Sequence, residues 1–334
     1  MSNTLRNVIL GAMILAFVVI VLGAYVRLTD AGLGCPDWPG CYGILMGVPN
    51  TEVDLAQANS SYERAVEVGK AWREMIHRYF AGVLGCLILI ISVFLMRKDS
   101  QGQRHIFSGI ALGSLLLFQA ALGMWTVTMQ LKPLIVMGHL LGGFTLFNLL
   151  GWQYLRGMQS LPMMDSSVAS KLFNFSVVAI IVLAGQIALG GWVSSNYAAL
   201  ACTDFPTCQQ QWWPQMDFAN GFVMWRGLGV DYEYGVLEHP ARVAIHYTHR
   251  IGAVVVLLVL GRYLHLLAKN TKQVPALRNV ARIGSVLLLV QIILGISNIV
   301  YKLPLSVAVA HNGVALLLLF SIVSSAYMLR SARN

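Results

Sequence analysis

The feature that most constrains this chain is a series of eight long apolar runs separated by polar segments. Each run approaches the roughly 20 residues that an α-helix needs to cross the hydrocarbon core of a bilayer. Helices satisfy their own backbone hydrogen bonds in hydrocarbon, so the runs predict transmembrane helices. The predicted spans are Val8–Val26, Met75–Met96, Ile106–Thr128, Leu134–Leu155, Leu172–Val193, Val243–Leu264, Ile283–Val300 and Val307–Met328.

The charge content supports a membrane location. Charged residues make up 11% of the chain, against about 25% in soluble domains. The chain therefore has too little polar surface to face water on all sides, and we predict an all-α integral membrane protein. The first run is followed by Tyr25-Val26-Arg27-Leu28 and not by a small-residue cleavage site. We predict that it is a retained helix and not a signal peptide.

The distribution of charge predicts the orientation. Lys and Arg mark cytoplasmic loops, and they dominate the short segments that face the cytoplasm if the N-terminus is inside. Of the 14 acidic residues, only Asp99 and Asp165 fall in those segments. We predict cytoplasmic termini and long outer loops at residues 27–73 and 194–242. We interpret the net charge of +9 as the result of basic residues that set the membrane topology and attract anionic lipid. No nucleic acid partner is expected.

The chain contains an internal repeat, which must be recognised before any motif is interpreted. Residues 23–41 align with residues 190–208 with eight identical positions, including both cysteines of each segment. After a five-residue insertion in the second outer loop, His77-Arg78, Gln119, Gly123 and His139 align with His249-Arg250, Gln291, Gly295 and His311. Each half has four helices and so enters the membrane in the same direction. We predict two parallel four-helix bundles, residues 1–158 and 159–334, related by a pseudo-two-fold axis along the membrane normal.

Four histidines lie inside predicted spans at repeat-equivalent positions, and ionisable residues there are costly and functional. They are His77, His139, His249 and His311. Each lies near the start of its span, and the second and fourth helices of a half run in the same direction. Both histidines of a half are therefore predicted to lie at the same depth in the membrane. Two imidazoles facing each other in a four-helix bundle predict a bis-histidine haem site. Core histidines and zinc or copper are alternatives, but closed zinc sites gather four ligands.

The two halves differ beside the first histidine of each pair. Glu74 precedes His77 by three residues, and His246 holds the same place before His249. Residues at i and i+3 share a helix face, so Glu74 is predicted to lie beside the first haem site and to act as an acid or base. Capping of the helix start or pairing with a neighbouring arginine is the alternative. The difference predicts one reactive haem and one that transfers electrons.

An arginine directly follows the first histidine of each pair. The guanidinium groups of Arg78 and Arg250 match the geometry of carboxylates, so contacts with haem propionates are predicted. The alternative is that both side chains extend to lipid headgroups.

Each predicted outer loop contains a Cys-x5-Cys segment. Disulfides persist on the oxidising side of the membrane, so the pairs Cys35–Cys41 and Cys202–Cys208 are predicted to be structural bridges. Reactive thiol pairs that exchange electrons are the alternative.

Taken together, these motifs resemble the haem A synthase family of the bacterial eight-helix type, and the resemblance covers essentially the whole chain. The segments that carry it are Gly23-Ala-Tyr-Val-Arg-Leu-Thr-Asp-Ala-Gly-Leu-Gly-Cys-Pro-Asp-Trp-Pro-Gly-Cys41, Glu74-x-x-His77-Arg78, His139, the Cys202/Cys208 loop, His249-Arg250 and His311.

The resemblance implies an enzyme that oxidises a ring methyl group of haem O, by successive hydroxylations, to the formyl group of haem A. It implies that His77 and His139 flank the substrate haem, with Glu74 as the catalytic carboxylate. It also implies that His249 and His311 ligate a haem b that transfers electrons.

The same resemblance implies a bacterial inner membrane location, haem O synthase and oxidase assembly factors as partners, and a possible homo-oligomer. From the residues alone, two other functions stay open. One is a dihaem cytochrome b that passes electrons from quinol, and the other is a haem transporter or chaperone.

Overall fold

The computed structural model describes residues 2–98, 102, 104–157 and 162–333. Its regular structure in these ranges consists of ten helices and two isolated β-bridges. The helices are α1 (Asn3–Leu28), α2 (Glu52–Ser61), α3 (Val68–Met96), α4 (Ile106–Thr128), α5 (Pro133–Arg156), α6 (Ser166–Ser195), α7 (Phe218–Gly221), α8 (His239–Asn270), α9 (Pro275–Val300) and α10 (Leu305–Arg333).

Eight of these helices, all except the short α2 and α7, are long and apolar enough to cross a membrane. Each contains one of the predicted apolar runs, which confirms the predicted all-α, eight-helix membrane class. Local chemistry helps to set the helix starts. Pro133, Pro240 and Pro275 stand in the first turns of α5, α8 and α9, where a missing backbone N–H costs nothing and the fixed φ suits a helix.

Several helices begin well outside the hydrocarbon-length runs, among them α3, α8 and α9. α3 starts at Val68 and not Met75, because a helix continues into the polar region wherever its backbone hydrogen bonds are kept. The prediction that every histidine lies near its helix start is therefore wrong for His77 and His249, which lie about two and a half turns into α3 and α8. His139 lies less than about two turns into α5.

The four long helices of each half pack as a closed ring. In the N-terminal half α1 contacts α3, α3 contacts α4, α4 contacts α5, and α5 returns to α1. In the C-terminal half α6, α8, α9 and α10 make the same circuit. The halves meet where α1 contacts α10, α5 contacts α6, and α5 contacts α10. The pseudo-two-fold axis stays a prediction, and the predicted boundary between residues 158 and 159 lies outside the described residues.

Aromatic side chains fill the contact between α5 and α10. Phe147 meets Phe320 edge to face at 5.4 Å between ring centroids, and Trp152 meets Tyr327 in the same way at 4.9 Å. Gly151 leaves space for the Phe320 ring, since a Cβ there would collide with it. This aromatic packing joins the N-terminal four-helix ring to the C-terminal four-helix ring.

The outer loops also link the halves. Arg64, after α2, forms ion pairs with Glu233 and with Asp231, the latter at 2.9 Å. Arg27, at the end of α1, donates to the backbone carbonyl of Ser194 on α6 at 2.6 Å. These contacts hold the two outer loops together above the helix rings.

Candidate functional site

The predicted histidine pairs lie across the interiors of the two rings. His77 and His139 are on α3 and α5, which occupy opposite corners of the N-terminal ring, and His249 and His311 occupy the equivalent corners of the C-terminal ring. All four rings are surrounded by protein yet keep some accessible surface, as expected for side chains that line an internal cleft.

Each of the four imidazoles packs against a glycine on a neighbouring helix. A Cβ added at Gly23 would lie 3.0 Å from Cε1 of His77, and one at Gly190 would lie 3.2 Å from Cε1 of His249. Gly123 and Gly295 stand in the same relation to His139 and His311, at 3.3 and 3.2 Å. The glycines therefore admit the imidazole edge against the helix backbone and fix where each ring lies.

Glutamine side chains contact three of the four histidines. Nε2 of Gln119 lies 3.0 Å from Nδ1 of His139 and donates to the backbone carbonyl of the same residue at 2.7 Å. Gln186 makes the same two contacts with His249, at 3.1 and 2.9 Å. The amide of Gln291 lies 3.2 Å from Nε2 of the remaining histidine of the C-terminal pair.

Space for two of these amides is provided by a glycine three residues after the histidine. A Cβ at Gly142 would collide with Oε1 of Gln119, and a Cβ at Gly252 would collide with Oε1 of Gln186. Both amides are thus enclosed between their own helix and the histidine helix, which limits them to one arrangement.

The sequence analysis missed these glutamines as a set, although a signal was present. Three helices carry Gln-x-x-Leu-Gly, ending at Gly123, Gly190 and Gly295, and α1 carries Val19-x-x-Leu-Gly23. The Leu-Gly pair recurs in each helix that precedes a histidine helix, and glutamine stands three residues before the leucine in three of these four helices. A search for repeats at the half-chain period alone does not reveal it.

Glu74 is buried and its carboxylate is fixed at both oxygens. Oε2 accepts a hydrogen bond from the backbone N–H of Cys35 at 2.9 Å, and Oε1 forms an ion pair with Arg78 at 2.5 Å. Gly34 permits this contact, because a Cβ there would come within 2.6 Å of the backbone of Lys70 on α3. Glu74 therefore ties the first outer loop to the helix that carries His77. Of the alternative roles named from the sequence, the structure contains the ion pair with a neighbouring arginine.

Arg78 and Arg250 both bind backbone carbonyls of the disulfide loops. Arg78 donates to the carbonyls of Asp37 at 3.0 Å and Gly40 at 2.5 Å. Arg250 donates to those of Thr207 at 2.7 Å and Cys202 at 3.0 Å. The propionate contact stays a prediction for both side chains, and the observed role is to attach each loop beside a histidine.

Both predicted disulfides are confirmed. Cys35 and Cys41 are bonded, as are Cys202 and Cys208, with Cα atoms 4.7 and 4.8 Å apart. Each bridge closes a loop that lies against the start of α3 or α8, through contacts of Cys35 with Ala71 and of Cys202 with Val243.

An aspartate organises each disulfide loop. Asp37 accepts hydrogen bonds from the backbone N–H groups of Tyr42 at 2.6 Å and Gly43 at 2.8 Å. Asp204 accepts equivalent bonds from Gln209 at 2.6 Å and Gln210 at 3.0 Å. The Thr207 hydroxyl and these backbone donors hold the pKa of Asp204 below its usual range. The loop conformation is thus stabilised by the ionised carboxylate.

In the C-terminal half a different side chain takes the place of Glu74. His246 is buried, and its Nδ1 lies 3.0 Å from the backbone carbonyl of Ala198. It therefore ties α8 to the turn after α6 without a carboxylate. The sequence difference between the halves thus corresponds to one carboxylate and one imidazole contact to the outer turns, and the assignment of one reactive and one electron-transferring haem stays a prediction.

The paired histidines fit haem by the chemistry of their neighbours. A histidine that binds iron through Nε2 carries its proton on Nδ1 and needs an acceptor there. Gln119 and Gln186 place their amides against Nδ1 of His139 and His249, and each amide carries a buried Oε1 without a hydrogen-bond partner. Within the described residues no group of three or more His, Cys, Asp or Glu side chains could hold a metal ion, so each ring offers two histidines to a bound group.

Fold and site define an eight-helix membrane protein in which each of two four-helix rings presents a partly buried histidine pair. The chain belongs to the family described as cytochrome oxidase assembly protein, COX15-CtaA, whose model matches residues 6–323.

Relatives of similar length carry a more specific description. A protein of Shewanella oneidensis described as heme A synthase is 46% identical over 320 residues, which cover 95% of this chain and 94% of the relative. Proteins with the same description from Rhizorhabdus wittichii and Caulobacter vibrioides are 27% and 25% identical, each over 96% of this chain and over 92% and 94% of their own lengths. These relatives do not favour a dihaem cytochrome or a haem transporter.

Proposed function

We propose that this chain is a haem A synthase, an oxidoreductase that acts on haem O. The observation that carries the proposal is a difference at one repeat-equivalent position, where the N-terminal histidine site has the buried Glu74 and the C-terminal site has the buried His246. An electron carrier has no evident need for a buried carboxylate in only one half, whereas a site that removes protons from its substrate does. Relatives described as heme A synthase support the same assignment.

The finer proposal is that a ring methyl group of haem O is oxidised by successive hydroxylations to the formyl group of haem A in the N-terminal ring. His77 and His139 would hold the substrate across the ring. Gly23 and Gly123 set the planes of the two imidazoles through close packing, and so orient the substrate edge relative to α3.

Glu74 is proposed to take up protons released when the methyl group is oxidised. It lies one helical turn before His77 on the same face of α3. Donors on both carboxylate oxygens, the Cys35 N–H and Arg78, hold it in one orientation. A positioned acceptor beside the reacting group is what general base catalysis requires.

The C-terminal ring is proposed to be the electron-transfer site. His249 and His311 would hold a haem b, and that group would supply one-electron transfer when bound. Gln186 and Gln291 lie against these two histidines, and His246 fills the space of Glu74 without an acid.

The orientation in the membrane is also part of the proposal, and it is based on the distribution of charged residues along the chain. Both termini would lie in the cytoplasm of a bacterial inner membrane, with both disulfide loops on the outer side, and the two rings would be parallel repeats about a pseudo-two-fold axis. Haem O synthase and oxidase assembly factors are the proposed partners. Self-association is a further part of the proposal.

The test is to express the chain with a haem O synthase, extract the haems and identify them by mass. Wild type is compared with Glu74→Gln and with Glu67→Gln, a control in which an exposed carboxylate of the same region is neutralised. Haem A or its hydroxylated precursor should appear in wild type and in Glu67→Gln and fall at least about 100-fold in Glu74→Gln. Only haem b in all three would contradict the proposal.

A further inference from the structure

Each disulfide loop exposes apolar side chains at the same three positions. In the first loop they are Trp38, Leu45 and Met46, and in the second loop they are Phe205, Trp212 and Trp213. The two sets are equivalent under the repeat that aligns residues 23–41 with 190–208, and the β-bridges of the two loops, between residues 41 and 44 and between 208 and 211, follow the same alignment. All six residues are between 43% and 80% exposed. We call these six residues the loop tips.

The repeat keeps the apolar character of the loop tips but none of their identities. The matched pairs are Trp38 and Phe205, Leu45 and Trp212, and Met46 and Trp213. Exposed apolar patches mark surfaces that bind a protein, a ligand or a membrane. A protein partner fits side chains of a particular shape, whereas a bilayer requires only that they be apolar. A match of class without identity therefore favours lipid as the partner.

Charge is absent from the segments that carry the loop tips. Residues 38–51 and 205–216 contain no Asp, Glu, Lys, Arg or His, although the two outer loops carry most of the acidic residues of the chain. The carboxylates directly before these segments, Asp37 and Asp204, accept hydrogen bonds from backbone N–H groups within their own loops. Since charges are costly at the boundary with hydrocarbon, an uncharged surface is what contact with lipid requires.

The loop tips are attached to two of the membrane helices by tyrosine side chains. In the first loop the backbone N–H of Gly47 donates to the Tyr79 hydroxyl of α3 at 2.7 Å. In the second loop the Tyr247 hydroxyl of α8 donates to the carbonyl of Trp212 at 2.7 Å, and the rings of Trp213 and Tyr247 meet edge to face. Each loop tip therefore lies beside the same region of its histidine helix.

The face of each helix that bears the tyrosine continues into the surface that faces lipid. Val83 lies one turn after Tyr79, and Ile251 lies one turn after Tyr247; both apolar side chains are exposed. They belong to α3 and α8, which are long and apolar enough to cross a membrane. The two tyrosines stand where these spans meet the polar loops, and Trp and Tyr are enriched at such boundaries. The loop tips are thus continuous with a lipid-facing surface.

We propose that the loop tips insert into the headgroup region of the bilayer, at the membrane surface where α3 and α8 begin. The partner is the phospholipid itself, whose upper acyl chains cover the apolar side chains while the backbone of the tips stays at the level of the headgroups. Each disulfide loop is then held on two sides, by Arg78 or Arg250 on its helix and by lipid at its tip. The inference does not depend on the proposed haem chemistry.

The test measures which environment surrounds the loop tips in a bilayer. Met46→Cys and Trp213→Cys are made in a background in which the free cysteine is removed by Cys86→Ala. Each protein is labelled with a nitroxide and placed in nanodiscs of phosphatidylcholine and phosphatidylglycerol, after mass spectrometry has shown both disulfides intact. Gln57→Cys, at an exposed polar position of α2 in the first outer loop, is the matched control. Power saturation of the nitroxide signal compares collisions with oxygen, which concentrates in hydrocarbon, and with a water-soluble nickel chelate.

The inference predicts opposite preferences at the tips and at the control. Labels at residues 46 and 213 should collide more with oxygen than with the nickel chelate, and the label at residue 57 should show the reverse. A preference for nickel at all three positions would place the tips in water and overturn the inference. Labels at 46 and 213 that neither reagent reaches would overturn it as well, because a second copy of the chain or another protein would then cover the tips.

A second measurement needs no new cysteine. Wild type is compared with Trp212→Phe/Trp213→Phe in nanodiscs whose phospholipid carries bromine on its acyl chains, where bromine quenches tryptophan emission at short range. The emission of the two tryptophans, taken as the difference between the two proteins, should be lost in brominated lipid and kept in the same lipid without bromine. Equal emission of the pair in both lipids would contradict the proposal. Phenylalanine keeps both positions apolar, so the variant tests location and not folding.

Discussion

Glu74 and Arg78 form an ion pair of 2.5 Å one turn apart on α3, and both side chains are nearly enclosed, with 6% and 13% of their surface exposed. The same arginine binds the carbonyls of the first disulfide loop. The proposed catalytic carboxylate is therefore part of the structure that attaches the loop to the helix. A change at Glu74 is expected to alter both the stability of this attachment and the reactivity of the site.

Removal of Arg78 should destabilise the protein more than removal of both charges. In Arg78→Met the buried carboxylate loses its partner, and breaking a buried pair costs about 3 kcal/mol or more. In Glu74→Gln/Arg78→Met no uncompensated charge remains, so the free energy of unfolding should recover in part. Unfolding in detergent by heat and by denaturant measures both. Equal stability of the single and double variants would show that the pair is not coupled.

The glycines that pack on the histidines should not tolerate a methyl group. Gly23→Ala places Cβ 3.0 Å from the His77 ring, and Gly190→Ala places it 3.2 Å from that of His249. We expect each change to lower haem retention in its own ring only. Gly11→Ala on α1 and Gly185→Ala on α6 are matched controls, because their added Cβ atoms meet nothing within 4 Å.

Haem content after purification, measured from the absorption spectrum and by extraction, checks this expectation. Loss of haem in the control variants as well would mean that helix stability, and not contact with the imidazole, limits retention.

Loss of a disulfide should loosen one loop and leave the other intact. Cys202→Ala/Cys208→Ala removes a short covalent loop worth about 2 kcal/mol in the chain-entropy model, and it frees the carbonyls that bind Arg250. The expected result is a lower melting temperature with the Cys35–Cys41 bridge preserved. Thiol alkylation and mass spectrometry, with and without a reductant, measure both bridges. Alkylation of all four cysteines in unreduced wild type would exclude the bridges.

The ion pair between the outer loops should couple the two halves of the chain. Arg64 is 31% exposed and Glu233 only 9%, so we expect a coupling energy of about 1 kcal/mol. A double-mutant cycle of Arg64→Met and Glu233→Gln measures it, and high salt should weaken it. The Glu67–Lys70 pair, whose carboxylate is 64% exposed, serves as the comparison and should give a smaller value.

The sequence predicts the eight membrane helices well because a bilayer imposes one length and one chemistry on each span. It does not predict how far α3 extends beyond the hydrocarbon, since Val68 to Arg73 are held helical by local hydrogen bonding and loop contact and not by burial in lipid. α2 and α7 are missed for the same reason: both are short, lie in polar loops and carry no apolar period that distinguishes them.

The candidate site is predicted unevenly. His77, His139, His249 and His311 are evident because an ionisable residue in a span is rare and because the spacing is duplicated. The backbone partners of Arg78 are not evident, because a carbonyl of residue 37 or 40 reaches it only through the tertiary fold. Gln186 was within reach of sequence reasoning, since its pentapeptide recurs, but it required a comparison within each half and not only between halves.

The attachment of Arg78 and Arg250 to the disulfide loops has a mechanical consequence. Each arginine follows a histidine directly along the backbone, so the depth of that histidine is set by the attached disulfide loop and not by the lipid around the helix. A change in bilayer thickness would tilt or strain the long helices, but the first histidine of each pair would keep its position relative to its disulfide loop. The position of the first histidine of each pair thus depends less on the composition of the surrounding membrane than on its disulfide loop.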